Sequence, residues 1–296
     1  MPLFFEEIAK KLADKWLSLL VLPGLLLDGT ATVAIMLGHR RWANTGRLTD
    51  RADRLAAGLA DRPAAASALL IVGVLLTAAF TGLAATGLGQ LIQRLWIGRW
   101  PSWIAPVTRA LTKRRCDRWK RLADEHDDLV TQLRSSGEND TPRRWELARK
   151  RNAVSLTEPV LPTWIGDRMA SIQTRIYTDY HVDLVAAWPR LWLLLPDDRR
   201  KEVREAASAF DTAAILAGWG TLYLAVGVLW WPSAVVGAIT WLTAWSRGRR
   251  SIATYADLAE SVVDLHLTSL GEQLGLTAAE HTDLGAAINS RLRKGA

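Results

Sequence analysis

The residue types suited to chemistry in this 296-residue chain are few and scattered: five histidines, one cysteine and some oddly placed carboxylates. Asp28 lies inside the run Leu17 to Leu37, which holds no other charge. An ionisable group in an apolar segment of membrane length is costly to insert, and is by default a candidate for an ion or proton path. The competing reading is local. Asp28-Gly29-Thr30 is good turn and N-cap chemistry, so Asp28 would then begin a second half-helix. Asp124-Glu125-His126-Asp127-Asp128 gathers ligand-type side chains, but on a helix Asp124 and Asp128 share a face while His126 points away from it. A solvated acidic face paired with Lys120 and Arg121 accounts for it. The histidines at 39, 126, 181, 266 and 281 have no His-x-x-x-His spacing, so no metal site is expected. Cys116 sits among Arg and Lys, which would lower its pKa, and a single cysteine excludes an internal disulfide. There is no G-x-S-x-G, no phosphate-cradling glycine loop and no Cys–His motif. The expectation is a protein that is not an enzyme and carries no cofactor.

A second group of residues points to a surface. The chain has 15 Trp against 4 Phe and 4 Tyr, with a net charge of +7. Trp favours the headgroup zone of a bilayer, because its ring is apolar while its N–H needs a partner. Residues 94–121 carry nine basic side chains and one acid, Asp117, and interleave Trp96, Trp100 and Trp103 with Arg94 and Arg99. Directly after an apolar run this reads as an interfacial anchor on anionic headgroups. Nucleic acid would use the same residue types by stacking, but no helix-turn-helix, zinc or RNA-binding signature accompanies them, so it is the less favoured partner. Trp188 and Trp192 bracket a second such element, with Arg190 placed to reach phosphate.

These residues need elements to hold them. Thr212 to Ser246 is 35 residues with no ionisable group except Tyr223. That is too long for one span and short for two. A membrane hairpin turning at Trp230-Trp231-Pro232-Ser233 is favoured over one kinked helix, since proline cannot donate to a helix ladder. Ala64 to Ile92 is the clearest span, and Ala78, Gly82, Ala85 and Gly89 give small-residue faces that would let another helix, or another copy, approach. Leu17 to Leu37 is a further span, interrupted at Pro23-Gly24 and Asp28-Gly29 and preceded by an amphipathic stretch over 2–20.

The polar remainder is helical too. Periodicity gives helices over about 109–134 and 143–156, joined by a Ser/Gly/Pro-containing loop, and another over 166–180. Leu184 to Leu195 is too short to span and is broken by Pro189, so a re-entrant or interfacial element is expected. Ser251 to Leu270 is amphipathic, and Thr277-Ala278-Ala279-Glu280 is a capping box for a last helix ending near Leu292. No strand pattern occurs. The fold class is all-α, with about four transmembrane helices and a helical cytoplasmic domain. The regions are 1–92 (spans about 17–37 and 64–92), a helical domain 93–210, a hairpin 211–246 and C-terminal helices 247–296.

One block carries a resemblance. Leu161-Pro162-Thr163, Gly166, Tyr180, Asp183, Trp188-Pro189-Arg190-Leu191 and Leu195-Pro196 are similar to a block in an uncharacterised family of bacterial, actinobacterial-type multi-span membrane proteins. It covers about 36 residues. The chain departs from the family pattern at Trp164, Asp167 and His181, where a basic residue, Asn and Gly are expected. The resemblance implies membrane architecture and no activity.

Counting charge gives a topology. Fifteen Lys and Arg (nine at 94–121, three at 247–250, three at 10–15) fall on one side of a four-span arrangement, against six Arg in 39–63. Positive-inside logic places both termini and 93–211 in the cytoplasm, with a three-span arrangement as the alternative. The expectation is a multi-pass membrane scaffold or interaction protein with an unknown protein partner; the alternative is an oligomeric ion channel or membrane-permeabilising protein using Asp28.

Overall fold

A computed structural model describes residues 21–40, 42–60, 63–136, 141–276 and 283–293. Among them there are ten α-helices and no strand: α1 Leu22–Leu37, α2 Thr45–Ala60, α3 Ala64–Trp96, α4 Ala105–Ser136, α5 Thr141–Val154, α6 Trp164–Tyr180, α7 Leu184–Leu194, α8 Asp197–Gly227, α9 Trp231–Gln273 and α10 Leu284–Leu292. The all-α expectation holds. The helices divide into two compact units, 1–92 with 211–246, and 93–210 with 247–296. Two helices, covering 65–96 and 197–227, are long and apolar enough to cross a membrane, and α1 and α7 are shorter apolar helices.

The first unit is built on small residues. A Cβ on Gly218 would run into the Ala85 carbonyl, and one on Gly89 would lie 2.7 Å from the Ile215 Cα. These pairs set α3 and α8 antiparallel with their backbones almost touching. Gly24 meets the Ala78 carbonyl in the same way. Backbones approach this closely only where side chains are absent, and the dispersion contacts so gained are what hold apolar helices together. The small residues expected to invite another copy are thus used within the chain.

The turn between α8 and α9 lies at Val228–Trp230, two residues before Pro232. Pro232 instead enters the first turn of α9, where a missing N–H costs nothing. Gly220 against Gly237, and Gly227 against Ala234, close the hairpin, so the single kinked helix is excluded. α9 then continues through Arg247, Arg249 and Arg250 to Gln273 without a break. At the turn, Trp230 Nε1 donates to the Trp42 carbonyl (3.2 Å), and His39 Nδ1 lies 2.8 Å from that of Leu229.

The second unit has a conventional aliphatic core. Ile172, Ile176, Val182, Leu191, Leu195, Val263, Leu267, Leu270 and Ile288 interlock across α6, α7, α9 and α10. α7 is therefore one of its core helices, with Ala187 and Leu191 fully buried. Pro189 does not break it. The bond lost is to the carbonyl four residues back, at exposed Val185. Asn289 ties α10 to the α6–α7 turn, its Oδ1 accepting from the Asp183 N–H and its Nδ2 donating to the His181 carbonyl. Asp283 caps α10 through the Ala286 N–H. The amphipathic stretch 2–20 and the capping box at 277–280 lie outside the described residues.

Candidate functional site

Asp28 sits within an unbroken α1, so its N-cap reading is overturned. Its Oδ1 accepts from Thr81 Oγ1 of α3 (3.0 Å), and its backbone carbonyl accepts from Thr32 Oγ1 (2.8 Å). Its Oδ2 is buried with no hydrogen-bond partner among the described residues. Two residues further along α1, Thr30 is hydrogen-bonded to Tyr223 of α8. A buried carboxylate oxygen left without a donor is a costly arrangement.

The expected interfacial anchor residues part company. Trp96 is 4% exposed and packs on Phe210, with a Cβ on Gly248 falling 2.8 Å from its ring. It is a core residue and no headgroup anchor; the sequence signal misleads because Trp in a basic segment looks the same whichever way it faces. Arg94 and Arg99 are exposed. Trp103 is 79% exposed and projects freely. Trp100 is half-buried and donates its Nε1–H to the Leu95 carbonyl at 2.8 Å. Trp188 and Trp192 lie 6.1 Å apart, half-buried against the aliphatic core. Arg190 turns back to donate to the Ala186 carbonyl (2.8 Å), so its guanidinium serves its own proline-containing helix.

The most developed polar feature has no signature in the sequence. On α6, adjacent Asp167 and Arg168 are both buried and point to different partners. Arg168 donates to Asp257 (2.6 Å) and Glu260 (2.7 Å) of α9, and Arg175 shares Glu260 at 3.0 Å. Asp167 Oδ1 accepts from the N–H groups of Val160 and Leu161 (2.9 and 2.8 Å), while Oδ2 lies 2.8 Å from Arg115 Nη2 of α4. That second contact is an ion pair without an aligned hydrogen bond, since Nη2 donates to the Val154 carbonyl (2.7 Å). Arg115 Nη1 reaches the Leu161 carbonyl (3.3 Å), and Trp119 Nε1 the Ser155 carbonyl (3.0 Å). The irregular segment 154–162 is thereby pinned to α4 and α6 by buried charge. Burial pushes the Asp167 carboxyl up, against the pull of its two backbone N–H groups and Arg115.

Between the pinned segment and α4 opens a cleft of about 500 Å³. One wall is the α4 stripe Ala105, Thr108, Arg109, Thr112, Lys113 and Cys116, with Asp117 at its end; the other is Pro159 to Pro162. Gly98, Trp100 and Ser102 complete it. Cys116 Sγ donates to Glu158 Oε1 (3.1 Å), which also pairs with Lys120 Nζ (2.8 Å). The thiol is pushed up, first by that hydrogen bond and then by desolvation, the reverse of the expectation from its basic neighbours in sequence. Lys120 is thus committed to Glu158, Arg121 donates to the Asp117 carbonyl, and among the described residues no ion pair joins either to the exposed acids Asp124 and Asp128, where pairing is expected from the sequence. His126 lies against Asp127 (3.1 Å), and no metal-ligating cluster occurs among the described residues. No protein-family model, curated protein or solved structure matches the chain.

Proposed function

We propose that the chain is a multi-pass membrane protein whose helical second unit serves as a cytoplasmic scaffold or interaction module. The observation that carries the membrane reading is the surface of the first unit. From Ala68 to Thr77 every residue of α3 is exposed, on all sides of the helix, and these include Leu69, Ile71, Val72, Leu75 and Leu76. Only 22% of its most apolar window is buried, so α3 is not behaving as the core helix of a water-soluble fold. Leu22, Leu26 and Ile35 of α1, and Val235, Val236, Ile239 and Leu242 of α9, face outward as well. Apolar surface on this scale needs a covering, and lipid supplies it. Positive charge after α3 and after the hairpin supports a cytoplasmic second unit and cytoplasmic termini. The chain has four spans in this reading, the first including α1. Alkaline carbonate extraction of expressing cells tests insertion: the chain stays in the pellet, and release into the supernatant removes the reading. Deletion of 109–157, the α4–α5 hairpin, abolishes partner capture while leaving the chain in the membrane.

The second reading, an oligomeric channel, rests on the unpartnered Oδ2 of Asp28. Ion flux from liposomes holding the purified protein decides it, with Asp28→Asn beside wild type. Flux altered by the substitution makes the channel primary. Absence of flux across voltage and pH leaves the scaffold.

A further inference from the structure

We infer that the cleft between α4 and the segment 159–162 is a binding site for a phosphate ester, presented by an anionic phospholipid headgroup or by a soluble phosphate. The inference extends the membrane reading to a particular site, and the lipid source rests on that reading.

Three observations converge on the cleft. The first is uncommitted positive charge. Arg109 and Lys113 stand one helical turn apart on the wall, and among the described residues neither is paired with a carboxylate. The Arg109 Nε donates to Ala105 of its own helix at 3.3 Å, which leaves both Nη groups to form a planar fork suited to phosphate oxygens. By contrast Arg115 and Lys120 on the same helix are already engaged, with Asp167 and Glu158. The second is preorganisation. The facing wall is irregular backbone, yet it is held by the buried Asp167 and Arg115 through bonds to Val160, Leu161 and Val154. A wall fixed by buried charge does not have to be ordered when a ligand arrives, which is where binding energy is otherwise lost. The third is amphiphilic lining. Arg109, Lys113, Thr112 and Ser102 offer donors on one side, and Pro159, Leu161 and Pro162 an apolar face on the other, with largely exposed Trp103 next to Ser102. A phosphate with a glycerol and acyl attachment has that same division. In sequence the cleft starts six residues after the apolar run ends at Ile92, the depth at which headgroups lie if α3 spans. Asp117 at the end of the stripe opposes an anion, and it sets the direction of one test.

The test uses the full chain, purified in a non-ionic detergent and stripped of lipid, with adducts counted by native mass spectrometry. The probes are dioleoyl phosphatidic acid, phosphatidylglycerol, phosphatidylcholine and inorganic phosphate. Wild type binds phosphatidic acid and phosphatidylglycerol over phosphatidylcholine, and Arg109→Gln with Lys113→Gln weakens this by roughly tenfold, as expected for two charge-assisted contacts. Arg114→Gln with Arg118→Gln removes the same charge from exposed positions of α4 outside the cleft, and changes binding less than about twofold. Asp117→Asn tightens binding, an outcome that misfolding cannot imitate. Equal losses from the two arginine-containing pairs, or no preference over phosphatidylcholine and no phosphate binding, overturns the inference. Saturation by inorganic phosphate alone assigns the soluble source; binding of the lipids alone assigns the headgroup. A chain that stays soluble without detergent and still binds phosphate keeps the site while removing the membrane reading.

Discussion

The Cys116 thiol donates to a carboxylate that a lysine also holds, and the balance of those contacts is testable in solution. Because its pKa is raised, the thiol stays protonated as pH climbs past the usual thiol range, and it alkylates slowly there. Glu158→Gln removes the opposing charge, moves the alkylation profile to lower pH, and speeds iodoacetamide labelling near pH 8 by roughly threefold. An unchanged profile would show that Glu158 does not govern the thiol. Asp167 makes the stronger claim on the fold. Removing it as Asp167→Ala strands the Val160 and Leu161 N–H groups and the Arg115 guanidinium, and costs about 3 kcal/mol by chemical denaturation. The sign of its pH dependence follows from the raised carboxyl. The native state holds that proton more tightly than the unfolded chain, so this contribution is present below the ordinary carboxylate range. It fades as pH rises through the native value, and Asp167→Ala lacks that slope. None of this was readable from spacing. Asp167 and Arg115 are 52 positions apart, and only the tertiary fold tells a buried acid from a helix-start acid.

At the scale of elements, periodicity located the helices, because burying one face of a helix imposes a period on the sequence itself. The two α4–α5 helices and α6 fall where the apolar spacing of Trp119, Leu122, Leu129, Met169, Ile172 and Ile176 puts them. The errors cluster at proline and glycine. By residue type Pro189, Pro232 and Asp28-Gly29 read as breaks, yet Pro189 and Gly29 are carried inside continuous helices and Pro232 opens one. A proline near a helix start leaves few bonds to lose, and an isolated glycine flanked by good helix formers is tolerated when packing decides. His181 is the opposite case. It ends α6 in a left-handed conformation (φ 53°), a position that ordinarily favours glycine. The glycines of the first unit matter for a different reason, the room they leave. Gly218→Val pushes against the Ala85 carbonyl, and neither backbone can yield without parting α3 from α8. The melting temperature of the detergent-purified protein falls, by the equivalent of about 2 kcal/mol or more. Gly73→Val, in open space on α3, leaves it in place. Similar melting of the two variants would mean that the α3–α8 contact is not holding the unit together.

For the whole molecule the question is which solvent each unit faces, and one pair of well-exposed leucines separates the answers. Leu76 of α3 is 65% exposed and lies near the middle of the uncharged run 64–92, while Leu265 of α9, in the second unit, is 76% exposed. If water covered both, Leu→Arg at either site would be a surface change worth within about 0.5 kcal/mol. If lipid covers the first unit, an arginine at Leu76 has to enter the hydrocarbon, at roughly 2.5–3.5 kcal/mol on insertion scales. The neighbouring apolar residues of α3 offset part of that, so the expected result for Leu76→Arg is a partial loss of carbonate-resistant protein. Leu265→Arg should fractionate like wild type and melt at the same temperature. Burial does not account for the asymmetry, because both leucines are well-exposed surface residues. It can come only from the medium outside. Indistinguishable fractionation of the two variants would put α3 in water, and the exposed aliphatic surface of the first unit would then need a protein partner in place of a bilayer.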